Sequence, residues 1–232
     1  MDDSLLYAAL IVSGYFIGSL PMGVIVARLT GGIDPRTVGS GRTGGTNMLR
    51  AGGWPRAITV AVLDLAKGAV PILIARAADA PVEVQALAGL TAVFGSWKSV
   101  FLRFHGGRGV ATGVGGMIAI APIIILLALP AFAVAIWSTR YVSLGSLVGT
   151  SFGAAIVVLF IGFGWLEPGW LLYVVPGLVI VYIAHWDNIQ RLRAGTERRF
   201  DPGDRRATTP PGQETAEEQA EAREEPPATP GT

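Results

Sequence analysis

Long apolar stretches separated by short polar connections dominate the first 199 residues of the chain. Six apolar segments occupy residues 5–29, 57–75, 82–101, 110–137, 142–163 and 170–184. About 20 apolar residues in helical form cross the hydrocarbon core of a bilayer, which is about 30 Å thick. The pattern therefore predicts an all-α, polytopic integral membrane protein.

The fourth apolar segment, residues 110–137, is too long for one ordinary pass. A single helix of this length would measure about 42 Å at about 1.5 Å per residue, and Pro122 lies near its middle. One pass would also put Arg140 and the arginines after residue 184 on opposite sides, although basic residues favour the cytoplasm. We therefore predict two passes that meet near Pro122. This gives seven transmembrane helices, the fourth and fifth short, with the N-terminus outside and the C-terminus in the cytoplasm.

Composition and charge divide the chain into two parts. Hydrophobic residues make up 51% and charged residues 15% of the sequence, and the mean hydropathy is +0.50. Residues 1–199 hold 15 Lys and Arg against 9 Asp and Glu, whereas residues 200–232 hold 3 against 8. The second part is rich in Pro, Glu and Ala and has no aromatic residue after Phe200, a composition typical of disorder. We predict a membrane domain over residues 1–199 and a disordered acidic cytoplasmic tail over residues 200–232.

The N-terminal segment and the rare residue types narrow the function. Two aspartates and no basic residue precede the first apolar segment, and it has no clean small-residue cleavage site, so we interpret it as a retained span rather than a signal peptide. The chain has no cysteine and two histidines, which excludes a thiol nucleophile, a thiolate metal site and a histidine-rich one. We expect no metal, no cofactor and no nucleic-acid partner.

A glycine-rich polar loop, residues 38–50, follows the first apolar segment. Non-helical backbone in a membrane protein lies outside the hydrocarbon or lines a cavity. Its glycines let main-chain N–H groups approach an anion. Hydroxyl and guanidinium groups add donors for phosphate oxygens: Ser40, Thr43, Thr46, Arg42 and Arg50. The loop is predicted to bind phosphate.

The same loop nearly matches the nucleotide-binding P-loop. Gly39 and Gly44 have the required spacing and Thr46 closes the pattern, but Gly45 stands where the motif has lysine. The motif also requires a preceding strand, whereas this loop follows a membrane helix. A nucleotide triphosphatase is therefore not expected.

Two further polar clusters lie on the predicted cytoplasmic side. Residues 103–109 contain Arg108 and follow Lys98, and residues 185–199 contain His185 and Asn188. Three-residue spacing puts His185 and Asn188 on one helical face. Together the three clusters predict a site for a ligand with more than one anionic group.

Asp64 and Lys67 are ionisable residues inside the second apolar segment. Such groups are costly in a membrane and face a partner or a polar cavity. Their spacing puts them on one helical face, which fits either an internal ion pair or a wall of the active site.

Six stretches in a fixed order carry a resemblance to a known family. They are Gly-Ser-Leu-Pro at 18–21, Val-Gly-Ser-Gly at 38–41 with Thr-Asn-Met-Leu-Arg at 46–50, Asp-Leu-Ala-Lys-Gly at 64–68, Gly-Gly-Arg-Gly-Val-Ala-Thr at 106–112, Arg-Tyr-Val-Ser at 140–143, and His-Trp-Asp-Asn-Ile-Gln-Arg-Leu at 185–192 with Gly-Thr-Glu at 195–197. The chain resembles the bacterial acyl-phosphate:glycerol-3-phosphate acyltransferases, polytopic enzymes of the bacterial inner membrane. They make the first acylation in phospholipid synthesis, with the active site facing the cytoplasm.

The resemblance implies roles for individual residues. Ser40 and Arg50 would contact substrate phosphate, and His185 and Asn188 would position glycerol 3-phosphate. His185, Asn188 and Ser40 form the implied catalytic group. Together the polar clusters and the matched stretches give a substrate phosphate-binding group: Ser40, Gly41, Arg42, Thr46, Asn47, Arg50, Lys98, Gly106, Gly107, Arg108, Ser143, Asn188 and Glu197.

Three positions depart from the family pattern. Arg42 stands where asparagine is usual, Ser96 where histidine is usual, and Arg108 where lysine is usual. Arg108 keeps the charge but presents a forked guanidinium in place of a point charge. Ser96 removes a proton acceptor, which puts a catalytic role at that position in doubt.

The implied reaction is attack of the glycerol 3-phosphate primary hydroxyl on a fatty acyl phosphate, which gives lysophosphatidic acid and inorganic phosphate. The chain has no cysteine and no Gly-x-Ser-x-Gly pattern, so direct transfer without an acyl-enzyme is expected. Either His185 or the substrate's own phosphate takes the proton. An enzyme that forms acyl phosphate is the expected hand-off partner, and membrane lipid surrounds the protein.

Two other functions fit a basic site at the membrane face. A transporter or flippase for a phosphorylated lipid would need binding groups near the midplane, whereas the polar clusters here lie towards one side. A phosphatase would normally need a nucleophile with histidine, or a metal, and the sequence offers neither arrangement.

Overall fold

The computed structural model describes residues 3–200, which form helices and connections without a strand in that range. The nine α-helices of this range are α1 (Asp3–Ser19), α2 (Met22–Leu29), α3 (Gly45–Ala77), α4 (Val82–Trp97), α5 (Val110–Ile120), α6 (Pro122–Thr139), α7 (Val142–Gly162), α8 (Leu171–Ala184) and α9 (Trp186–Arg193). Short 3-10 turns occupy Pro35–Thr37, Val100–Leu102 and Pro168–Trp170. The predicted disordered tail lies outside the described residues from position 201 onward.

The first apolar segment is a broken helix. α1 and α2 meet at an angle of 49°, and Pro21 lies at the break, where proline cannot donate the helical hydrogen bond. Gly14 and Gly18 of α1 face α4 so closely that a Cβ on either would overlap main-chain atoms of that helix. These glycines therefore serve close helix packing, as small residues commonly do in membranes.

Helix α3 begins earlier than the sequence predicts. Residues 30–56 were expected to form a loop, but the helix starts at Gly45 and is interrupted at Gly53, where φ is 74° and ψ is −178°. The prediction is wrong for residues 45–56, apart from the interruption at Gly53, because tertiary packing overrides the weak helical propensity of a glycine-rich stretch. Met48, fully buried, packs against Val26 and Val60. The N-terminal turn of α3 thus forms one side of the phosphate-binding loop.

The predicted break near Pro122 is confirmed. Ala121 is extended, with φ −157° and ψ 112°, and Pro122 is the first residue of α6. Only the first of the two helices is short, however. α5 has 11 residues, whereas α6 continues to Thr139 and with 18 residues is long and apolar enough to cross a membrane. The expectation of a short fifth segment is therefore corrected.

The chain is an all-helical integral membrane protein in the part that the structure describes. Three helices, α3, α6 and α7, are long and apolar enough to cross a bilayer by themselves. The number rises to five if two bent pairs each count as one span, namely α1 with α2 and the Pro168–Ala184 segment with α9.

The main hydrophobic core is formed by residues of all six helices from α3 to α8, and includes Ile72, Val93, Ile124 and Tyr173. At one end of the bundle several connections meet. There the main-chain N–H of Phe200, beyond α9, donates to the carbonyl of Arg140, between α6 and α7, at 2.6 Å. This end also carries the polar clusters.

Candidate active site

Asn47, in the first turn of α3, holds the glycine-rich loop in shape. Its Oδ1 accepts from the N–H of Ser40 at 3.0 Å, and its Nδ2 donates to the carbonyls of Arg42 at 2.8 Å and Pro35 at 2.5 Å. Gly39 has φ 56°, and a Cβ there would overlap Asn47 Oδ1. Asn47 is buried, so the structure places this predicted phosphate ligand behind the loop, with its amide bound to loop main chain.

Of the other predicted loop residues, Thr43 is buried, and the rest lie on the accessible side. Ser40, Arg42 and Arg50 are partly buried, and Gly41 and Thr46 are exposed. The aliphatic part of Arg50 runs alongside Gly39. Hydroxyl and guanidinium groups are therefore presented together at this end of the bundle, while the N–H groups of Ser40 and Gly41 donate within the loop.

The second cluster folds back over the end of α4. The N–H groups of Gly106 and Gly107 donate to the carbonyls of Trp97 at 3.0 Å and Ser96 at 2.8 Å. Arg42 Nη1 reaches the carbonyl of Gly106 at 3.4 Å. The first two polar clusters are therefore in contact.

Lys98 and His105 border this second cluster. Lys98 Nζ lies over the Trp97 ring, 4.7 Å from its centroid, which favours the ammonium through a cation–π interaction. His105 is exposed. Neither side chain is shown in contact with the third cluster.

Glu197 organises the third cluster. Its Oε1 accepts from Ser143 Oγ at 2.7 Å and from Asn188 Nδ2 at 2.6 Å, and its Oε2 accepts from Arg191 Nε at 2.8 Å. Burial raises the pKa of Glu197, but these three hydrogen bonds outweigh it and hold the pKa below its usual value. The carboxylate therefore stays ionised and fixes the orientation of Asn188.

Arg108 joins the second cluster to the third. Its Nη2 lies 3.6 Å from Asp187 Oδ2, which is an ion pair but too long for a hydrogen bond. Burial lowers the pKa of Arg108, and Asp187 only partly opposes that effect. Within residues 3–200, Arg108 Nε and Nη2 are buried without a hydrogen-bond partner. A desolvated guanidinium with unused donors is suited to bind an anion.

Asn188, the residue after Asp187 in α9, adds an acceptor to the third cluster. Its Nδ2 is taken by Glu197, while its Oδ1 is buried without a hydrogen-bond partner among the described residues. Buried polar atoms are nearly always paired in folded proteins. This oxygen is therefore suited to accept a hydrogen bond from a ligand hydroxyl.

His185 lies directly beyond the last residue of α8 and is 2% exposed. Its Nδ1 is 2.8 Å from the carbonyl of Val181. Because a carbonyl only accepts, Nδ1 carries the proton in the neutral ring. Burial lowers the pKa of His185 to about 4, so the ring is neutral near pH 7 and the other nitrogen, Nε2, keeps its lone pair.

Sequence reasoning missed two residues of this region. Asp187 pairs with both Arg108 and Arg191, and Thr112 has a buried hydroxyl without a hydrogen-bond partner in the described range. Both residues lie inside stretches that resemble the family, and their place in those stretches was the only sequence signal that could have found them.

Asp64 and Lys67 form an internal ion pair, with Lys67 Nζ 2.8 Å from Asp64 Oδ1. The same ammonium donates to the carbonyl of Leu20 at 2.8 Å. It thereby satisfies an acceptor at the break between α1 and α2, so of the two alternatives the ion pair is present.

Comparisons with known proteins agree on one family. The model of the family described as glycerol-3-phosphate acyltransferase matches residues 8–195. The chain is 44% identical over 187 residues to a glycerol-3-phosphate acyltransferase of Thermus thermophilus, covering 80% of this chain and 91% of the relative. It is 40% identical over 205 residues to one of Anaeromyxobacter, covering 86% and 99%.

The fold is also similar to that of a solved protein. The crystal structure of PlsY, an integral membrane glycerol 3-phosphate acyltransferase, in its glycerol 3-phosphate form has a TM-score of 0.75 and 34% identity to this chain. The similarity covers 84% of this chain and 96% of PlsY. The lysophosphatidic acid form gives the same TM-score and coverage with 32% identity.

The helical membrane body with its basic site at one end thus defines an integral membrane acyltransferase. More particularly, the chain belongs to the glycerol-3-phosphate acyltransferase family. The resemblance inferred from the six sequence stretches is confirmed.

Proposed function

We propose that this protein transfers a fatty acyl group from acyl phosphate to the sn-1 hydroxyl of glycerol 3-phosphate. The products are lysophosphatidic acid and inorganic phosphate. One observation carries the proposal: Arg108 Nε and Nη2 and Asn188 Oδ1 are buried without a hydrogen-bond partner in the described range, and Arg108 forms an ion pair with Asp187, the residue before Asn188. A phosphate accepts hydrogen bonds from Arg108, and a glycerol hydroxyl donates one to Asn188 Oδ1. One small molecule that carries both a phosphate and a hydroxyl therefore satisfies both residues.

The remaining site residues fall into two groups around this pair. The glycine-rich loop, through Ser40, Arg42, Thr46 and Arg50, binds phosphate together with Lys98. The N–H groups of the predicted ligands Gly41, Gly106 and Gly107 donate to main-chain carbonyls, so these glycines shape the two loops instead. Asn47 acts on the substrates indirectly, because its side chain bonds to the main chain of the loop. Ser143 and Glu197 also act indirectly, because Ser143 bonds to Glu197 and Glu197 in turn holds Asn188. Several cations are required since both substrates carry phosphate.

The transfer is direct. The substrate hydroxyl oxygen attacks the acyl carbonyl carbon, the bond from that carbon to the phosphate oxygen breaks, and phosphate leaves as the anion that the arginines stabilise. The hydroxyl proton passes to His185 Nε2 or to the substrate's own phosphate. Because acyl phosphate already carries a good leaving group, positioning and charge neutralisation supply most of the catalysis.

We further propose seven passes through the bacterial inner membrane, with the N-terminus outside and the site facing the cytoplasm. α5 begins at the polar end, where Arg108 meets Asp187. α6 ends there too, since Arg140, which directly follows α6, accepts a hydrogen bond from the N–H of Phe200 at the same end. These contacts support α5 and α6 as two opposed passes. The arginine-rich end is the cytoplasmic one by the distribution of basic residues, and an acyl-phosphate-forming enzyme delivers the donor there.

The test is acyl transfer to labelled glycerol 3-phosphate by the purified protein in detergent, with acyl phosphate in one reaction and acyl-CoA in another. Product with acyl phosphate alone is expected. Product with acyl-CoA alone would overturn the donor assignment. Absence of product with either donor, in protein that is folded, would overturn the proposed reaction.

A matched pair of variants tests the observation that carries the proposal. Arg108→Gln is expected to raise the KM for glycerol 3-phosphate at least about tenfold, because a hydrogen bond to a charged group is worth about 1.5–3 kcal/mol. Arg103→Gln removes the same charge from an exposed position of the same connection and is expected to leave KM within about twofold of wild type. Equal KM values for the two variants would contradict the role of Arg108.

A further inference from the structure

The connection between α4 and α5 contains an exposed aromatic turn, residues 99–105. Phe101 and Phe104 are each 54% exposed and Val100 is 38% exposed, and Arg103 and His105 beside them are exposed as well. Large apolar side chains this close together on an exposed surface mark a contact with a membrane or with a protein. None of the residues of the aromatic turn is assigned to the substrates.

Two adjacent residues of the aromatic turn have backbone conformations that are costly for residues with a side chain. The φ angle is 50° at Arg103 and 63° at Phe104, in the left-handed region. Such conformations persist only where the surrounding contacts enforce them. Here the N–H of Phe104 donates to the carbonyl of Ser99 at 2.7 Å, and the N–H of His105 donates to that of Leu102 at 3.0 Å. The structure of the turn therefore holds the phenylalanine ring in its exposed position.

The aromatic turn is also fixed to the bundle. Ser99 Oγ donates to the carbonyl of Ser19 in α1 at 2.6 Å, and the hydroxyl of Tyr15 donates to the carbonyl of Lys98 at 2.9 Å. Gly106, in the second cluster, follows the turn directly. A partner that binds the aromatic turn therefore also holds the second cluster in place.

Aromatic rings continue from the base of the turn along the surface of the bundle. The ring centroid of Trp97 is 5.9 Å from that of Phe94. Phe94 in turn lies 6.1 Å from Tyr15, which lies 5.6 Å from Phe16. Phe94 and Phe16 are exposed on apolar helices of a membrane protein, where the surrounding medium is lipid. This continuity favours lipid over a protein as the partner of the aromatic turn.

The charge around the aromatic turn is positive. No acidic residue occurs between Glu83 and Glu167 in the sequence. Arg103 makes no ion pair within residues 3–200, and Lys98 of the substrate site adds positive charge from the same connection. Basic residues beside aromatic rings at a helix end are typical of the membrane–water interface, where anionic headgroups complement the charge.

We propose that the aromatic turn is a binding site for anionic phospholipid of the surrounding bilayer. Phe101 and Phe104 insert between lipids at the interface, and the guanidinium of Arg103 binds a headgroup phosphate, since amphipathic side chains divide in this way between hydrocarbon and water. Binding there keeps the second cluster at the level of the headgroups. This lipid site is separate from the substrate site and does not depend on acyl transfer.

The experiment measures contact between the turn and two kinds of lipid. Because the chain has no cysteine, Val100→Cys gives the full-length protein a single thiol on the turn, which is labelled with a bimane fluorophore. The protein is placed in phosphatidylcholine vesicles that contain increasing fractions of brominated phosphatidylglycerol or brominated phosphatidylcholine, and the bromine quenches the fluorophore on contact. Half-maximal quenching is expected at an about fivefold lower fraction of the anionic lipid, the effect of about one cation near the membrane surface. Equal curves for the two lipids would overturn the inference, as would a fluorophore that neither lipid quenches.

A matched pair of arginine variants in the labelled protein locates the headgroup contact. Arg103→Gln is expected to reduce the preference for phosphatidylglycerol to within about twofold, with quenching by both lipids retained. Arg193→Gln removes the same charge from an exposed position at the end of α9 and is expected to leave the preference unchanged. An equal loss of preference in both variants would show that only the total charge matters and would overturn the site.

A second pair of variants tests insertion of the rings. Phe104→Asn removes the ring but tolerates the left-handed backbone, so the turn keeps its shape, and quenching by both lipids is expected to fall at least about twofold. Phe104→Leu keeps an apolar side chain and is expected to retain the quenching. Identical quenching in the two variants, with unchanged helical content by circular dichroism, would overturn the insertion of Phe104.

Discussion

At the scale of single residues, the site combines side chains that are fully paired with side chains that are not. Glu197 accepts three hydrogen bonds and thereby holds Ser143, Asn188 and Arg191. Arg108 and Asn188 each keep a buried polar atom without a partner in the described part of the chain. The fully hydrogen-bonded residues hold the unpaired groups in position before the substrate arrives, as preorganised sites require.

The role of His185 is separable from its structural contact. His185→Asn keeps a side-chain N–H near the position of Nδ1, and so a donor for Val181, but removes Nε2. If Nε2 is the general base, we expect kcat to fall by about 10²–10⁴-fold with little change in the KM for glycerol 3-phosphate. Steady-state kinetics at saturating acyl phosphate measure both constants.

The alternative proton acceptor gives a different outcome. If the substrate's phosphate takes the proton, His185→Asn retains most of kcat, since the hydrogen bond to Val181 persists. Thermal unfolding in detergent should show that the variant is folded, so that a loss of activity cannot be attributed to unfolded protein. Substantial turnover in the folded variant would assign the proton to the phosphate.

Individual residues show how far sequence reasoning reaches at this scale. Arg108 was predicted because its charge stands among glycines, and Asn188 because its amide shares a helical face with His185. Asp187 was missed, because a lone acidic residue beside a tryptophan in an arginine-rich helix is indistinguishable from a surface residue. Asn47 was predicted to touch phosphate, and its contacts with loop carbonyls depend on a chain path that no local pattern encodes.

At the scale of elements, the site depends on how the helices begin and break. The glycine-rich loop leads into the N-terminus of α3, and Gly53 turns the chain before the long part of that helix. Lys67 binds the carbonyl freed at the break between α1 and α2. The break at Pro122 was predicted, since proline interrupts the helical hydrogen bonds, whereas the bend at Pro21 was not, because residues 5–29 were predicted to form one span. The early start of α3 was not predicted either, because it follows from burial of Met48.

The shape of the loop is testable with two neighbouring glycines. Gly39→Ala places a Cβ against Asn47 Oδ1 at a residue with φ 56°, where a side chain costs about 1–2 kcal/mol. We expect the loop to leave Asn47 and kcat/KM to fall more than about tenfold, while the helical content by circular dichroism stays the same.

Gly44→Ala is the matched control for the loop. Gly44 has φ −78°, which any residue adopts, and a Cβ there would meet no atom within 4 Å. Its kcat/KM should remain within about twofold of wild type. Equal activity of the two alanine variants would show that Asn47 does not position the loop for catalysis.

At the scale of the whole molecule, polarity is distributed unevenly between the two ends of the bundle. The contacts of Arg42 with Gly106, Arg108 with Asp187, and Arg140 with Phe200 all lie at one end. A carrier with alternating access would need its binding groups near the midplane. Chemistry at one membrane face is what this distribution supports, and it also lets soluble glycerol 3-phosphate and a membrane-embedded acyl chain meet.

The topology that this distribution requires is testable because the native chain has no cysteine. Single cysteines at four exposed positions, Asp79→Cys, Arg103→Cys, Arg140→Cys and Glu167→Cys, are labelled with a membrane-impermeant maleimide in intact cells and after lysis. With seven passes, positions 79 and 167 label in intact cells, and positions 103 and 140 label only after lysis. If α5 and α6 instead formed one pass, positions 103 and 140 would label from opposite sides. That result would separate Arg108 from Arg140 across the membrane and contradict the single cytoplasmic site.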